Sequence, residues 1–336
     1  MCKFFTTFVA NLLLFALVAT VRTYYRVAEH LFAVESSDEK LMAVMVNYTP
    51  FRIEEQTGEK PIFILRINQN GLLSETLHST YHHIFTDNSE KDMPRIEVYR
   101  NDEQWLMRVS QVADSPICCD LVSNTCFSQS TLHIDSREKD VRFCIDNALM
   151  LMFAFSTAPL MTLEMHAAVV VKELGGEEMG YLFLGHSGTG KSTHARQWLE
   201  ASPDAWLLND DNPILRVMED GEVRVYGSPW SGKTPCYNNA CAHVKGIVKL
   251  SQALHNKARV ISLPEAYAYI LSSSSGLKID KDMADSMYNT IKHIITHVQC
   301  YQLDCLPNTE AAIVNLFFAF IINSFPLKSK FFLLEY

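Results

Sequence analysis

The chain has 336 residues, 48% apolar and 20% charged, with a formal net charge of −9. That length accommodates two ordinary domains with buried cores, and the composition is too apolar for a disordered chain. The acidic balance leaves no electrostatic footprint for nucleic acid, which is not expected as a partner.

Residues 4–21, FFTTFVANLLLFALVATV, carry no charge and follow Lys3. They fit an N-terminal anchor with the rest of the chain in the cytoplasm, as Arg22 and Arg26 favour, and equally an over-extended start, with a signal segment and export as the lesser alternative; membrane contact is expected through this run alone. From 23 to 142 the segments Tyr24–Val27, Phe63–Ile67, Ile96–Tyr99 and Leu106–Val109 read as short strands divided by polar turns such as Asn68-Gln69-Asn70-Gly71. Residues 147–155 read as an apolar helix, and Pro159 as a break before a strand carrying His166.

The most informative stretch is YLFLGHSGTGKSTHARQWLE at 181–200, an apolar strand, a glycine-rich loop and a helical segment. Gly185-His186-Ser187-Gly188-Thr189-Gly190-Lys191-Ser192 matches the P-loop pattern, followed by Thr193 at the start of the helix. Glycines let successive backbone N–H groups curl around a polyphosphate, and the helix dipole points its positive end at the same anion. Lys191 would reach the β- and γ-phosphates, and the Ser192 hydroxyl would bind Mg²⁺. Ala205-Trp206-Leu207-Leu208 then reads as a strand ending in Asn209-Asp210-Asp211-Asn212. In doubly wound sheets ligands gather at the carboxyl ends of strands, which would bring these acids beside the phosphates. One carboxylate can hold Mg²⁺ while another takes the proton of an acceptor hydroxyl.

A second match, Gly227-Ser228-Pro229-Trp230-Ser231-Gly232-Lys233-Thr234, follows the strand Val223–Tyr226. Pro235 and the turn-favouring Asn238 and Asn239 argue against a helix behind it, so this loop is expected to face nucleotide or acceptor with Lys233 as an extra cation. Further on, Gly246–Lys249 reads as a strand, 283–297 as a helix, and the Phe-rich end as a final helix, an interface or an aberrant tail. Nine cysteines in no framework spacing are expected to be reduced thiols, and neither Cys236-x4-Cys241 nor Cys300-x4-Cys305 has the tight spacing of a zinc site. The pair His293 and His297 lacks the glutamate of a zinc-protease motif and reads as one helix face.

The stretch Leu163-Glu164-Met165-His166-Ala167-Ala168-Val169-Val170, then GHSGTGKS, then LLNDDN, resembles the core of HPr kinase/phosphorylase and its relatives, which share a nucleotide-binding core with phosphoenolpyruvate carboxykinases. The similarity covers about residues 160–235. It implies that His166 lies near the phosphates, that Lys191 and Ser192 are the P-loop pair, and that Asp210 is the base toward the acceptor with Asp211 a metal contact. The segment before 150 does not resemble the usual N-terminal domain of the HPr enzyme, and GSPWSGK occupies the place of that family's glycine-rich Glu/Arg segment. The pattern is closer to uncharacterised bacterial HPr-kinase-like proteins.

These observations lead to an α/β protein: an apolar segment at 1–22, a β-rich domain at 23–142, an HPr-kinase/carboxykinase-like P-loop domain at 143–325 and an apolar tail at 326–336. The expected activity is cytoplasmic transfer of the γ-phosphoryl group of Mg-ATP to a hydroxyl on a protein, peptide or small molecule. Asp210, Lys191, His166 and Lys233 would be catalytic, residues 185–193 would bind nucleotide, and Ser192 and Asp211 would bind Mg²⁺. The alternatives are a reversible HPr-type kinase/phosphorylase and a nucleotide-sensing regulator without turnover; a homo-oligomer is left open.

Overall fold

A computed structural model describes residues 20–54, 58–87, 94–135, 140–232 and 234–323. Most of the N-terminal apolar run, the tail from 324 onward and Lys233 lie outside these residues. The chain is a mixed α/β protein built on two large mixed sheets.

The first sheet contains β1 (Val21–Val27), β2 (His30–Ser36), β3 (Arg52–Ile53), β4 (Ile64–Asn68), β5 (His82–Asp87), β6 (Arg95–Arg100), β7 (Gln104–Ser110), β8 (Ile117–Asn124) and β9 (Gln129–Ile134). Their order is β3-β1-β2-β4-β9-β8-β7-β6-β5, with β2, β4 and β9 mutually parallel and the flanks antiparallel. Every residue of β2 is buried, as a strand covered on both faces should be, whereas β1 alternates toward one face. A helix, α1 (Val141–Thr157), follows and packs on β8 and β9. Together with the turn after it, α1 is long and apolar enough to cross a membrane, yet Ile145, Leu149, Met152 and Phe153 are buried in the core.

The second sheet takes β10 (Thr162–Glu164), β11 (Ala167–Leu174), β12 (Glu177–Leu184), β13 (Ala205–Asn209), β14 (Ile214–Val217), β15 (Val223–Tyr226), β16 (Cys241–Gln252), β17 (Lys257–Val260) and β18 (Gln299–Cys305). Its helices are α2 (Lys191–Ala201), α3 (Leu263–Ser272), α4 (Lys281–His297) and α5 (Thr309–Asn323). Ser262 and Glu265 close a reciprocal capping box on α3, and Asp280 accepts from the Met283 N–H at the start of α4.

One face of this sheet buries Phe183, Val248 and Tyr301 against Trp198 of α2 and Ala312 of α5. Its other face joins α1, α4 and the first sheet in one continuous apolar cluster. The β-rich half and the second sheet therefore share a core.

Topology concentrates the chemistry at one edge. The sheet is mixed, unlike the doubly wound sheets from which the strand-end rule comes. β11 runs antiparallel to both neighbours, β12 and β13, so these two point the same way and end on either side of the residue that starts β11. β16 and β18 run parallel to β12 and end at the same edge. The glycine loop, Asn209–Asp211 and His166, which lies between β10 and β11, are thereby brought together.

Candidate functional site

The Gly185–Gly190 loop leaves β12 and enters α2 at Lys191. Gly188 (φ 77°) and Gly190 (φ 104°) adopt the left-handed backbone that other residues rarely take. Among the described residues no side chain caps α2, so its first-turn N–H groups are left open, an end whose dipole suits an anion. An atom added at Gly185 would lie 2.8 Å from the Thr189 side chain, so only glycine lets the loop close here.

Lys191 is buried and turns back under the loop. Its Nζ donates to the carbonyls of Gly185 (2.8 Å) and His186 (3.4 Å) and lies 3.0 Å from His166 Nε2. Asp211 Oδ1 is 3.4 Å from the same His166 nitrogen. His166, Lys191 and Asp211 thus form one chain of contacts, while Ser192 and Thr193 are exposed on the first turn of α2.

The two adjacent acids have different surroundings. Asp210 is 4% exposed, and its Oδ1 accepts from the Ser231 hydroxyl (2.8 Å) and the Gly232 N–H (3.0 Å), its Oδ2 from the Thr234 N–H (3.3 Å). The second glycine loop therefore wraps around Asp210. Asp211 keeps a third of its side chain exposed (34%) and faces a cleft. Desolvation raises its carboxyl above the ordinary range, Lys191 pulls it down, and Asp210 pushes it up. Asn209 sets this split by accepting the Asp211 and Asn212 N–H groups while its amide donates to Ser228 Oγ and the Trp230 carbonyl.

No helix follows the second loop; Pro235 to Ala240 run without regular structure into β16. Its position is fixed from the first half of the chain. Trp230 Nε1 donates to Tyr48 Oη (2.8 Å), Tyr48 donates to Asp146 (2.8 Å), and the Asn47 amide donates to Asp146 and to the Pro229 carbonyl. Tyr48→Phe leaves the indole N–H without its acceptor and takes a donor from Asp146. It is expected to cost about 1–3 kcal/mol in urea unfolding; an unchanged midpoint would show that the network does not hold the loop.

Two clefts open at this edge. One, of about 570 Å³, runs beside the glycine loop between Gly188, Thr193 and Gln197 on one side and Leu250 of β16 with Leu254 and Leu306, just past the ends of β16 and β18, on the other. Gln252 Nε2 donates to the Gly188 carbonyl and ties this wall to the loop. His194 contributes as a neutral ring, since burial lowers its pKa to about 4. The other, of about 620 Å³, is walled by Ile96 and Val98 of β6, Asp146 and Met150 of α1, and His166 and Asp211. Both volumes fall in the range of small-ligand sites.

Glu164 lines the second cleft and has no counterpart among the sequence expectations. It is fully buried, neither carboxyl oxygen has a hydrogen-bond partner among the described residues, and burial followed by the Asp211 charge pushes its pKa far above the carboxylate range. Its carboxyl is held protonated. Because the folded pKa exceeds the unfolded one, native stability attributable to Glu164 is complete below about pH 4.5 and falls as pH rises toward the folded pKa, by about 1.4 kcal/mol per pH unit. The stability difference between Glu164→Gln and the native chain should therefore shift in favour of the variant between pH 5 and 7; a flat difference would mean that the carboxylate is ionised and compensated. The one sequence signal for it is its i, i+2 spacing from His166, which aims both side chains to the same side.

The sequence expectations for 185–193, His166, Asp210 and Asp211 fall on residues that meet at this edge, and Lys233 lies outside the described residues. No protein-family model and no curated protein matches the chain.

Proposed function

We propose that the chain is an ATP-dependent phosphotransferase of the HPr-kinase-like P-loop type, moving the γ-phosphoryl group of Mg-ATP to a hydroxyl acceptor. The observation that carries this reading is the convergence of an uncapped helix start behind left-handed glycines with the Lys191–His166–Asp211 contacts at one sheet edge. The donor set fits the group: main-chain N–H groups and Lys191 suit polyphosphate, and the Ser192 hydroxyl suits Mg²⁺, while Asp211, expected from the resemblance as a metal contact, is given the base role instead. The cleft beside α2 would take the nucleoside, and the cleft walled by Glu164, His166 and Asp211 would take the acceptor.

When bound, Mg-ATP supplies the phosphoryl group and the metal neutralises part of its charge. Lys191 holds that charge by donating toward the phosphates in place of the Gly185 and His186 carbonyls it now contacts. Asp211 takes the acceptor's proton. Its raised pKa keeps it a better base than an ordinary carboxylate, and it opens onto the acceptor cleft. The resemblance gives the proton to Asp210; the three hydrogen bonds that hold Asp210 inside the second loop support giving it to Asp211 and making Asp210 the anchor of the acceptor wall. His166 Nε2 lies between Lys191 and Asp211, where it accepts from the lysine as one tautomer or donates to the carboxylate as the other.

The test is a screen for labelled phosphate transfer from γ-labelled ATP to hydroxyl-bearing peptides and metabolites by the full chain. Transfer that depends on Asp211 supports the proposal. ATP binding without transfer to any acceptor and without hydrolysis would favour the nucleotide-sensing alternative.

A further inference from the structure

Where α1 packs on the first sheet, Cys118 and Cys119 of β8 and Cys144 of α1 bring their sulfurs within 4.8 Å of one another. Consecutive residues of a regular strand point to opposite faces, so two adjacent cysteines could not both turn toward one helix. An irregularity in the ladder makes it possible. Val109 pairs with Cys119 and Ser110 with Ile117, which leaves Cys118 as the extra residue of a β-bulge. The bulge re-aims its side chain to the side that Cys119 and Cys144 occupy.

Apolar filling does not account for this arrangement, because alanine or valine on a regular strand would fill the volume without giving up a ladder pairing. The thiols are held in place from the ladder itself: Cys118 Sγ donates to the Val109 carbonyl (3.1 Å) and Cys144 Sγ to the Cys118 carbonyl (3.7 Å). All three residues are buried, at 7%, 0% and 0% exposure, among core residues of the first sheet and α1.

We propose that Cys118, Cys119 and Cys144 form a three-sulfur site for one soft metal ion, Cu(I). Thiol sulfur selects soft ions, and zinc in structural sites takes four ligands. Among the described residues no histidine, carboxylate or further cysteine joins the group, and the apolar surroundings disfavour water as a fourth ligand. Cu(I) accepts the coordination number available. Binding exchanges thiol protons for the ion and involves no change in oxidation state of metal or sulfur. The site would fasten α1 to β8, the junction from which α1 continues to Asp146 and the Tyr48–Trp230 network.

The experiment is anaerobic titration of the reduced full chain with Cu(I) against a chromogenic Cu(I) chelator. One equivalent per chain should be withdrawn from the chelator, with sulfur-to-copper absorption in the ultraviolet and three sulfur neighbours by X-ray absorption. Cys144→Ala, and separately Cys118→Ser, should weaken retention at least 100-fold, whereas Cys300→Ala, which removes a thiol outside the cluster, should leave it unchanged. Circular dichroism on each variant identifies any that fails to fold, and the other variant then carries the comparison. Failure of the native chain to compete with the chelator, retention of copper by both cluster variants, or stoichiometric Zn(II) binding in place of Cu(I) would overturn the proposal.

Discussion

Lys191→Ala is expected to weaken Mg-ATP binding at least about 100-fold, the equivalent of about 2.7 kcal/mol, in calorimetric titration. The lysine is the cation inside the glycine loop, buried and already turned toward Gly185 and His186, so its loss removes charge from the point where triphosphate charge is greatest. Lys191→Met keeps most of the volume and removes only the charge; it should lose as much. Normal affinity in both variants would mean that residues 185–192 are a structural turn.

Asp211→Asn should lower phosphoryl transfer by roughly 10²- to 10⁴-fold, the range for a missing general base, with ATP affinity reduced far less. The pH profile supplies a second readout. Because the Asp211 carboxyl is raised above its ordinary value, turnover in the native chain should fall on the acid side as pH drops through that raised pKa, and the variant should lack this limb. Asp210→Asn is expected to behave differently in kind. An amide cannot accept from the Gly232 and Thr234 N–H groups and Ser231 at once, so this variant should lose thermal stability and loop order along with activity. An Asp210→Asn protein of native stability that transfers no phosphate, beside a fully active Asp211→Asn protein, would return the proton to Asp210.

The glycine loop was legible in the sequence because its requirements are local: glycines where the backbone must turn left-handed, then lysine and serine at a helix start. The acidic pair was legible for the same reason, as a turn closing an apolar strand. The difference between its members was not, since it arises only when Ser231, Gly232 and Thr234 reach Asp210 from more than twenty positions away. Glu164 was hidden likewise, because a carboxylate without a partner is a property of what surrounds it.

In the first half, residues 24–27 and 96–99 showed plain β patterns. β8, reading ICCDLVSN, did not, because the bulge at Cys118 breaks the alternation that marks a strand. The parallel run β2, β4, β9 could not be read at all; long-range register has no local signature. By contrast, the α3 capping box at Ser262 and Glu265 was written in the sequence, and its helix lies outside the segments that periodicity singled out.

The most direct test of the phosphotransferase reading is calorimetric titration of the native full chain with ATP, with and without Mg²⁺, beside Lys191→Met. The account predicts one site per chain, tighter with Mg²⁺, and lost in the variant. No heat of binding up to millimolar ATP, or a site indifferent to Lys191→Met, would contradict it.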